Sequence, residues 1–259
     1  MSFEPQLKNL FGLEGKVAIV TGASRGLGQG MAAGLAEAGA DIIAAGTKLE
    51  NLKDTEKIIS GMGRTAVPVA CDVTDYAQIT SAIRTAMDTF GKIDILVNNA
   101  GTIRRSLAEQ FSDEDWDVVL NTNLKAVFQF SRDVGKIMLK QGHGKIINVA
   151  SLLSFSGGIT VPAYAASKGG VAQLTKALAN EWAKYNIQVN AIAPGYFATD
   201  NTQKLREDPS RYLEISSRIP AGRWGLPADL KGAAIFLASA ASDYVNGHVL
   251  LVDGGWMAR

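Results

Sequence analysis

Tyr164 and Lys168 stand four residues apart in Ala163-Tyr164-Ala165-Ala166-Ser167-Lys168, a stretch whose composition predicts a helix, so both side chains fall on one face. A tyrosine phenol, with a pKa of about 10, is a poor base at neutral pH. An ammonium beside it favours the phenolate and eases proton transfer at an alcohol or carbonyl oxygen. Ser151 ends the preceding apolar run and carries a hydroxyl that could hold the same oxygen. Ser154 and Ser156 just beyond it read as loop hydroxyls. A Tyr-Lys pair also arises on helices where Tyr packs and Lys covers surface, so the pair needs companions before it implies chemistry.

Two further segments supply candidates. Thr21-Gly22-Ala23-Ser24-Arg25-Gly26-Leu27-Gly28 lies between the apolar run Val17 to Val20 and the helix-forming stretch Met31 to Ala38. A glycine-rich turn from strand to helix lets backbone approach a phosphate and points helix amides at it. Leu120-Asn121-Thr122-Asn123-Leu124-Lys125 places three poor helix formers in a segment that otherwise reads as helix, which suggests a local role for Asn121 or Asn123.

These residues require a scaffold, and the rest of the chain reads as one. Apolar runs at Val17 to Val20, Ile42 to Ala45, Val67 to Ala70, Ile93 to Val97, Lys145 to Val149, Ile187 to Ala193 and Val249 to Val252 alternate with helix-length segments. That alternation predicts an α/β fold, a single doubly wound Rossmann-type domain over residues 1–259 with a parallel sheet of about seven strands flanked by helices. Helices are expected over Asp113 to Lys140, Ala163 to Tyr185 and Pro227 to Ala238. Gly195 to Gly225 is long, polar and broken by Pro209 and Pro220, and loops of that length are usually lids or disordered segments.

Composition narrows the function classes. Twenty-six Lys and Arg against 25 Asp and Glu leave a net charge of +1, no general field for nucleic acid or an anionic membrane. Cys71 is the single cysteine, either a small core residue or a thiol, and no disulfide framework is possible. The start of the chain lacks a secretory h-region and no run approaches the roughly 20 apolar residues of a membrane span, so a cytoplasmic protein is expected. His143 and His248 are isolated in the sequence, which offers no metal cluster.

The turn at Gly22, Gly26 and Gly28, Asn98-Asn99-Ala100-Gly101 after the fourth run, Tyr164-x-x-x-Lys168 and Pro194-Gly195 after the sixth together resemble the short-chain dehydrogenase/reductase family. The resemblance covers nearly the whole chain. It implies hydride transfer between NAD(H) or NADP(H) and a secondary alcohol or ketone, with Asn123, Ser151, Tyr164 and Lys168 as the catalytic set. It implies coenzyme contacts from Gly22, Ser24, Arg25, Gly26, Leu27 and Gly28 in the turn, and from Thr47 and Lys48 after the second strand. Asp72 and Val73 would flank the adenine, Asn99, Ala100 and Gly101 the adenosine ribose, and Tyr164, Lys168, Pro194, Phe197 and Thr199 the nicotinamide end. Asn98 reads as a hydrogen-bonded strut. An acid at the end of the second strand would bind a ribose diol and repel a 2'-phosphate. None stands at Ala45-Gly46-Thr47-Lys48, and Arg25 or Lys48 could meet a phosphate or simply face solvent. Relatives often prefer NAD, so the coenzyme choice stays open.

Arg104 and Arg105 follow the Asn-Asn-Ala-Gly segment beside the expected substrate cleft. Guanidinium suits a carboxylate. A salt bridge between subunits or a solvated loop would explain the pair equally well. Segments around Asn180 to Lys184, Ala193 to Tyr196, Arg218 to Gly225 and Gly254 to Arg259 are similar to the sugar-acid branch of the family, which implies a gluconate-type substrate and, with it, a homotetramer. A 3-oxoacyl carrier-protein reductase and a non-enzymatic nucleotide-sensing module are the alternatives.

Overall fold

The computed structural model describes residues 3–259. After a helix α1 (Phe3–Phe11), the chain alternates β1 (Val17–Thr21), α2 (Gly26–Glu37), β2 (Asp41–Gly46), α3 (Lys53–Ser60), β3 (Ala66–Ala70), α4 (Tyr76–Phe90) and β4 (Ile95–Asn98). Its second half runs α5 (Asp113–Leu120), α6 (Ala126–Gln141), β5 (Gly144–Val149), α7 (Pro162–Trp182), β6 (Ile187–Pro194), α8 (Gln203–Glu207), α9 (Pro209–Arg218), α10 (Lys231–Ala238) and β7 (Val249–Val252). The seven strands form one sheet in the order β3-β2-β1-β4-β5-β6-β7, every neighbouring pair parallel.

Strands β1, β4, β5 and β6 are buried along their whole length, as expected for a sheet covered on both faces. Successive side chains point to opposite layers. Val20, Ile42 and Ile147 pack with Met31 and Leu35 of α2 and Leu237 of α10. Ile19, Ile43 and Ile146 pack with Ile83 of α4, Phe130 of α6 and Trp182 of α7. The order reverses at β1, which has β2 on one side and β4 on the other. Connections leave this point in opposite directions and open a crevice at the carboxyl ends of the strands.

Several expectations shift. The fourth strand starts at Ile95 rather than Ile93, because Asp94 is a bolt beneath it. Its carboxylate, 3% exposed, accepts the Val17 N–H at 2.9 Å and lies 3.3 Å from Lys16, 3.2 Å from Lys92 and 3.0 Å from His143. His143 is therefore not isolated, whereas His248 is exposed at the start of β7. The helix expected over Asp113 to Lys140 is split by one π turn, Asn121–Lys125. Pro209, which reads as a breaker, opens α9 behind an Asp208 cap whose side chain accepts the Ser210 and Arg211 N–H groups. Proline at a first helical position loses no hydrogen bond, so Gly195 to Gly225 carries two helices rather than a structureless loop. Pro227 likewise opens a 3₁₀ turn, Pro227–Leu230, ahead of α10. Cys71 is buried, and burial with Asp72 and Asp75 nearby pushes its thiol up to about 11, which leaves it a core residue.

Burial alone pushes the Asp94 pKa up, but the Val17 N–H, His143, Lys16 and Lys92 outweigh it and hold the carboxyl below its ordinary range. A lowered folded-state pKa stabilises the fold above the unfolded value and is lost as pH falls through the folded one. Asp94→Ala strands the Val17 N–H and is expected to cost about 2 kcal/mol or more. Urea denaturation at pH 7 should show the full loss, and the gap to wild type should close as the pH drops below the ordinary carboxylate value of 3.8.

Candidate active site

At the strand-order reversal the glycine-rich turn folds tightly. Gly22 has φ +63°, a region that glycine enters without strain. A Cβ at Gly28 would collide with the Gly22 carbonyl and the Asn99 side chain, so the start of α2 can sit this close only with glycine there. Asn99 donates its side-chain amide to the carbonyls of Thr21 at 2.8 Å and Gly22 at 3.2 Å. Thr21 Oγ1 in turn accepts the N–H groups of Asn99 and Ala100, both at 3.0 Å. The first turn of α2 has no acidic residue and no side-chain cap, so its free N–H groups and positive helix end face the crevice. Those features fit a bound phosphate.

The crevice holds a cleft of about 250 Å³. Gly22, Ser24, Arg25, Gly26, Leu27, Gly28, Asn99, Ala100, Gly101, Tyr164, Lys168 and Thr199 line it, joined by Thr102, Val149, Asp200 and Asn201. The remaining expected contacts lie outside its wall. Thr47 and Lys48 are exposed beyond β2, Asp72 is exposed beyond β3 and Val73 is buried. Pro194 ends β6, and Phe197 is a core residue packed against Gly225. Asp200 carried no sequence signal, since it stands in a polar stretch without pattern. It forms an ion pair with Arg25 at 3.0 Å, joining the glycine-rich turn to the start of the Gly195 to Gly225 segment.

Asn123, rather than Asn121, is the buried member of the π turn. Its Oδ1 accepts the Thr102 N–H at 2.8 Å, while its Nδ2 donates to the Thr102 carbonyl at 2.9 Å and to Ser167 Oγ at 3.1 Å. One side chain thus clamps the loop after β4 to the helix carrying Tyr164 and Lys168. Asn98 is the expected strut, donating to Ser131 Oγ and Asn148 Oδ1. Ser151 ends the β5 connection, with its Oγ accepting the Leu153 N–H at 3.2 Å. Ser154 is more than a loop hydroxyl, because it donates to the Lys168 carbonyl at 2.7 Å.

The two arginines separate. Arg104 is held by Asp115 of α5 at 3.1 Å and donates to Thr102 Oγ1 at 3.0 Å, a salt bridge within the chain and not the one expected between subunits. Arg105 is exposed, and its charge reaches the phenols of both Tyr164 and Tyr196. Tyr196 belongs to an aromatic cluster with Trp224 at 5.5 Å and Trp256 at 4.6 Å. Tyr212 of α9 stacks on Trp224, and Arg218 lies 4.2 Å over the Trp256 ring.

Residues 22–257 match the family profile described as enoyl-(acyl carrier protein) reductase, a short-chain dehydrogenase/reductase profile. The chain is 57% identical over 252 residues to 2-dehydro-3-deoxy-D-gluconate 5-dehydrogenase of Dickeya dadantii (strain 3937), covering 97% of this chain and 99% of that one. It is 56% identical over 250 residues to the enzyme of the same name from Escherichia coli (strain K12), covering 96% and 98%. A solved structure of gluconate 5-dehydrogenase from Burkholderia cenocepacia J2315, in complex with NADP and tartrate, is 43% identical with a TM-score of 0.93 over 98% of this chain and 99% of that one. The chain belongs to the short-chain dehydrogenase/reductase family. It is an oxidoreductase, and its sheet is the Rossmann-like sheet of that family.

Within this short-chain dehydrogenase/reductase, burial works against both ionisable groups of the Tyr-x-x-x-Lys pair. It pushes the Tyr164 phenol above its ordinary value, opposed by a hydrogen bond with Ser151 and by the Arg105 charge. Lys168 Nζ turns to the Val149 carbonyl at 2.6 Å and stands 5.7 Å from the Tyr164 ring centre. Burial alone brings Lys168 down to about 8.

A lysine whose pKa falls on folding destabilises the fold below the folded value and returns that stability as pH rises toward the unfolded one. Lys168→Met keeps the linear stem without the buried ammonium. It should raise the melting temperature at pH 7 by about 2 °C or more, with the advantage shrinking as pH climbs above about 8. A lower melting temperature for the variant at pH 7 would contradict the burial argument.

Proposed function

We propose that this chain is an NAD(P)-dependent dehydrogenase of a sugar acid, with 2-dehydro-3-deoxy-D-gluconate as the first substrate to try and related gluconates next. The observation that carries the reading is the 57% identity, along nearly the full length of both chains, to a relative named for that substrate. The tartrate complex of the Burkholderia neighbour supports a hydroxylated carboxylic acid as the kind of substrate.

When bound, the coenzyme supplies the hydride acceptor or donor. The glycine-rich turn with Ser24, Arg25 and the α2 amides is assigned to its pyrophosphate, and Asn99, Ala100 and Gly101 to the adenosine ribose. Thr47, Lys48, Asp72 and Val73 are assigned to the adenosine end, and Pro194, Phe197 and Thr199 to the nicotinamide end. The Burkholderia neighbour carries NADP, and the missing acid after β2 favours a 2'-phosphate on electrostatic grounds. Lys48 has no ion pair among the described residues, whereas Arg25 is engaged by Asp200.

Ser151 holds the reacting oxygen, and Tyr164 takes the proton of the alcohol during oxidation and returns it to the carbonyl oxygen during reduction. Lys168 orients the ribose hydroxyls of the bound coenzyme, and Asn123 holds the loop and helix that frame them. Arg105 pairs with the substrate carboxylate. Residues 195–225 act as the lid of a single 1–259 domain, with the Tyr196, Tyr212, Trp224 and Trp256 cluster as its packing. Exposed Trp116, Val118 and Phe128 on α5 and α6 support those helices as part of a homotetramer interface. A lone buried cysteine fits a cytoplasmic setting.

Purified protein should oxidise or reduce 2-dehydro-3-deoxy-D-gluconate or a related gluconate with NAD(H) or NADP(H), followed by nicotinamide absorbance. Turnover confined to acyl thioesters would reject the sugar-acid reading. Coenzyme binding without turnover of any alcohol or ketone would reject the enzyme reading.

Arg105→Ala should raise the KM for the carboxylate substrate by about 10-fold or more, the loss expected for one charged hydrogen-bond partner. Arg104→Ala should leave that KM within about 3-fold, since an exposed pair such as Arg104–Asp115 contributes little. Steady-state kinetics on the two variants separates the assignments, and the reverse ranking would overturn the choice of Arg105.

A further inference from the structure

Ser154 joins two elements that the proton-transfer step needs in register. Its Oγ donates to the main-chain carbonyl of Lys168 in α7 at 2.7 Å and accepts the main-chain N–H of Ser151 at 3.3 Å. The Ser151 hydroxyl oxygen accepts the Leu153 N–H, so Ser151 and Ser154 cap the short turn Leu152–Ser154 reciprocally. A second thread runs nearby, from Lys168 Nζ to the Val149 carbonyl. The Ser151 turn is thereby tied to the α7 backbone by one side chain and to the Lys168 side chain by the strand before it.

We propose that Ser154 is a positioning residue for the reaction, fixing the approach of the Ser151 hydroxyl to the Tyr164 phenol by tying the Ser151 turn to α7. The proposal rests on the assignment of Ser151 and Tyr164 as the groups that hold and deprotonate the substrate oxygen. Three considerations support it. Ser154 is partly buried rather than solvated. Its partner Lys168 lies mid-helix, where the carbonyl already belongs to the helical ladder, so the added bond is not needed to satisfy that group. Its other partner is the N–H of the residue whose hydroxyl faces Tyr164, and short-range placement of reacting groups dominates rate, with a misplacement of about 1 Å costing up to about 100-fold.

Ser154→Ala is expected to lower kcat by about 10-fold while the dissociation constants of NADH and NADPH, read by nicotinamide fluorescence, stay within about 2-fold. Loss of register also weakens the Ser151 hydrogen bond that opposes the upward shift of Tyr164. The inflection of kcat against pH in the oxidative direction should therefore move to higher pH. Ser154→Thr, which retains a hydroxyl, should restore both rate and inflection. The same shift can be read without substrate, by phenolate absorbance titrated in each background and referenced to Tyr164→Phe. If the wild type fails to turn over any sugar acid, the functional reading falls and the phenolate titration still decides the role of Ser154. An inflection and a phenolate titration unchanged in Ser154→Ala, or a Ser154→Thr variant no better than Ser154→Ala, would overturn the proposal.

Discussion

Strands β1 and β4 are sewn together at both ends by buried or half-buried side chains, and the site exists because of how those two seams differ. At the amino end, Asp94 accepts the Val17 N–H and gathers Lys16, Lys92 and His143, so the strands are held where they enter the sheet. At the carboxyl end, the Asn99 amide and the Thr21 hydroxyl satisfy backbone groups that the parallel ladder leaves behind. Unpaired backbone inside a protein is costly, and here side chains supply the partners exactly where the connections diverge. The crevice can open between β1 and β4 without leaving orphaned amides at its floor.

The chemistry placed in that crevice runs against stability. Burial disfavours the charged forms of both Tyr164 and Lys168; near neutral pH the phenol is uncharged in either state, so the buried Lys168 ammonium is the group that costs stability. The compensation is local. Asn123 clamps Thr102 and Ser167, Ser154 binds the Ser151 turn to α7, and Lys168 finds the Val149 carbonyl. The hydrogen bonds thus hold the loop after β4, the Ser151 turn and the end of β5 against one helix, and the ionisable groups inherit their positions from that frame.

Much of this was legible in residue spacing. Apolar runs predicted all seven strands, and for β1, β4, β5 and β6 the reason is that a strand buried on both faces needs no alternation. The glycine spacing of the first turn predicted the tight passage from β1 into α2, because only glycine tolerates the backbone conformation at Gly22 and the close approach at Gly28. What stayed hidden depends on contacts distant in sequence. The π turn at Asn121–Lys125 reads as helix because each of its residues is nearly helical, and only the docking of Asn123 on Thr102 distinguishes it. Arg104 and Arg105 are indistinguishable as neighbours, yet Asp115 of α5 claims the first. Pro209 resembles a breaker until Asp208 is seen to cap the helix it opens.

The Arg25–Asp200 pair shows how such a contact can bear on function without being strong. Both side chains are largely exposed, at 75% and 63%, and exposed pairs contribute about 1 kcal/mol or less. A bond of that size orients the first turn of the 195–225 segment over the cleft but leaves opening within thermal reach. The firmer anchor of the same segment lies further along it, where Trp224 packs against Tyr196 and Tyr212. A weak contact at the cleft mouth and a packed aromatic cluster behind it give that segment a free edge and a fixed root. That arrangement suits the lid role proposed for residues 195–225, which must admit a large ligand and then cover it.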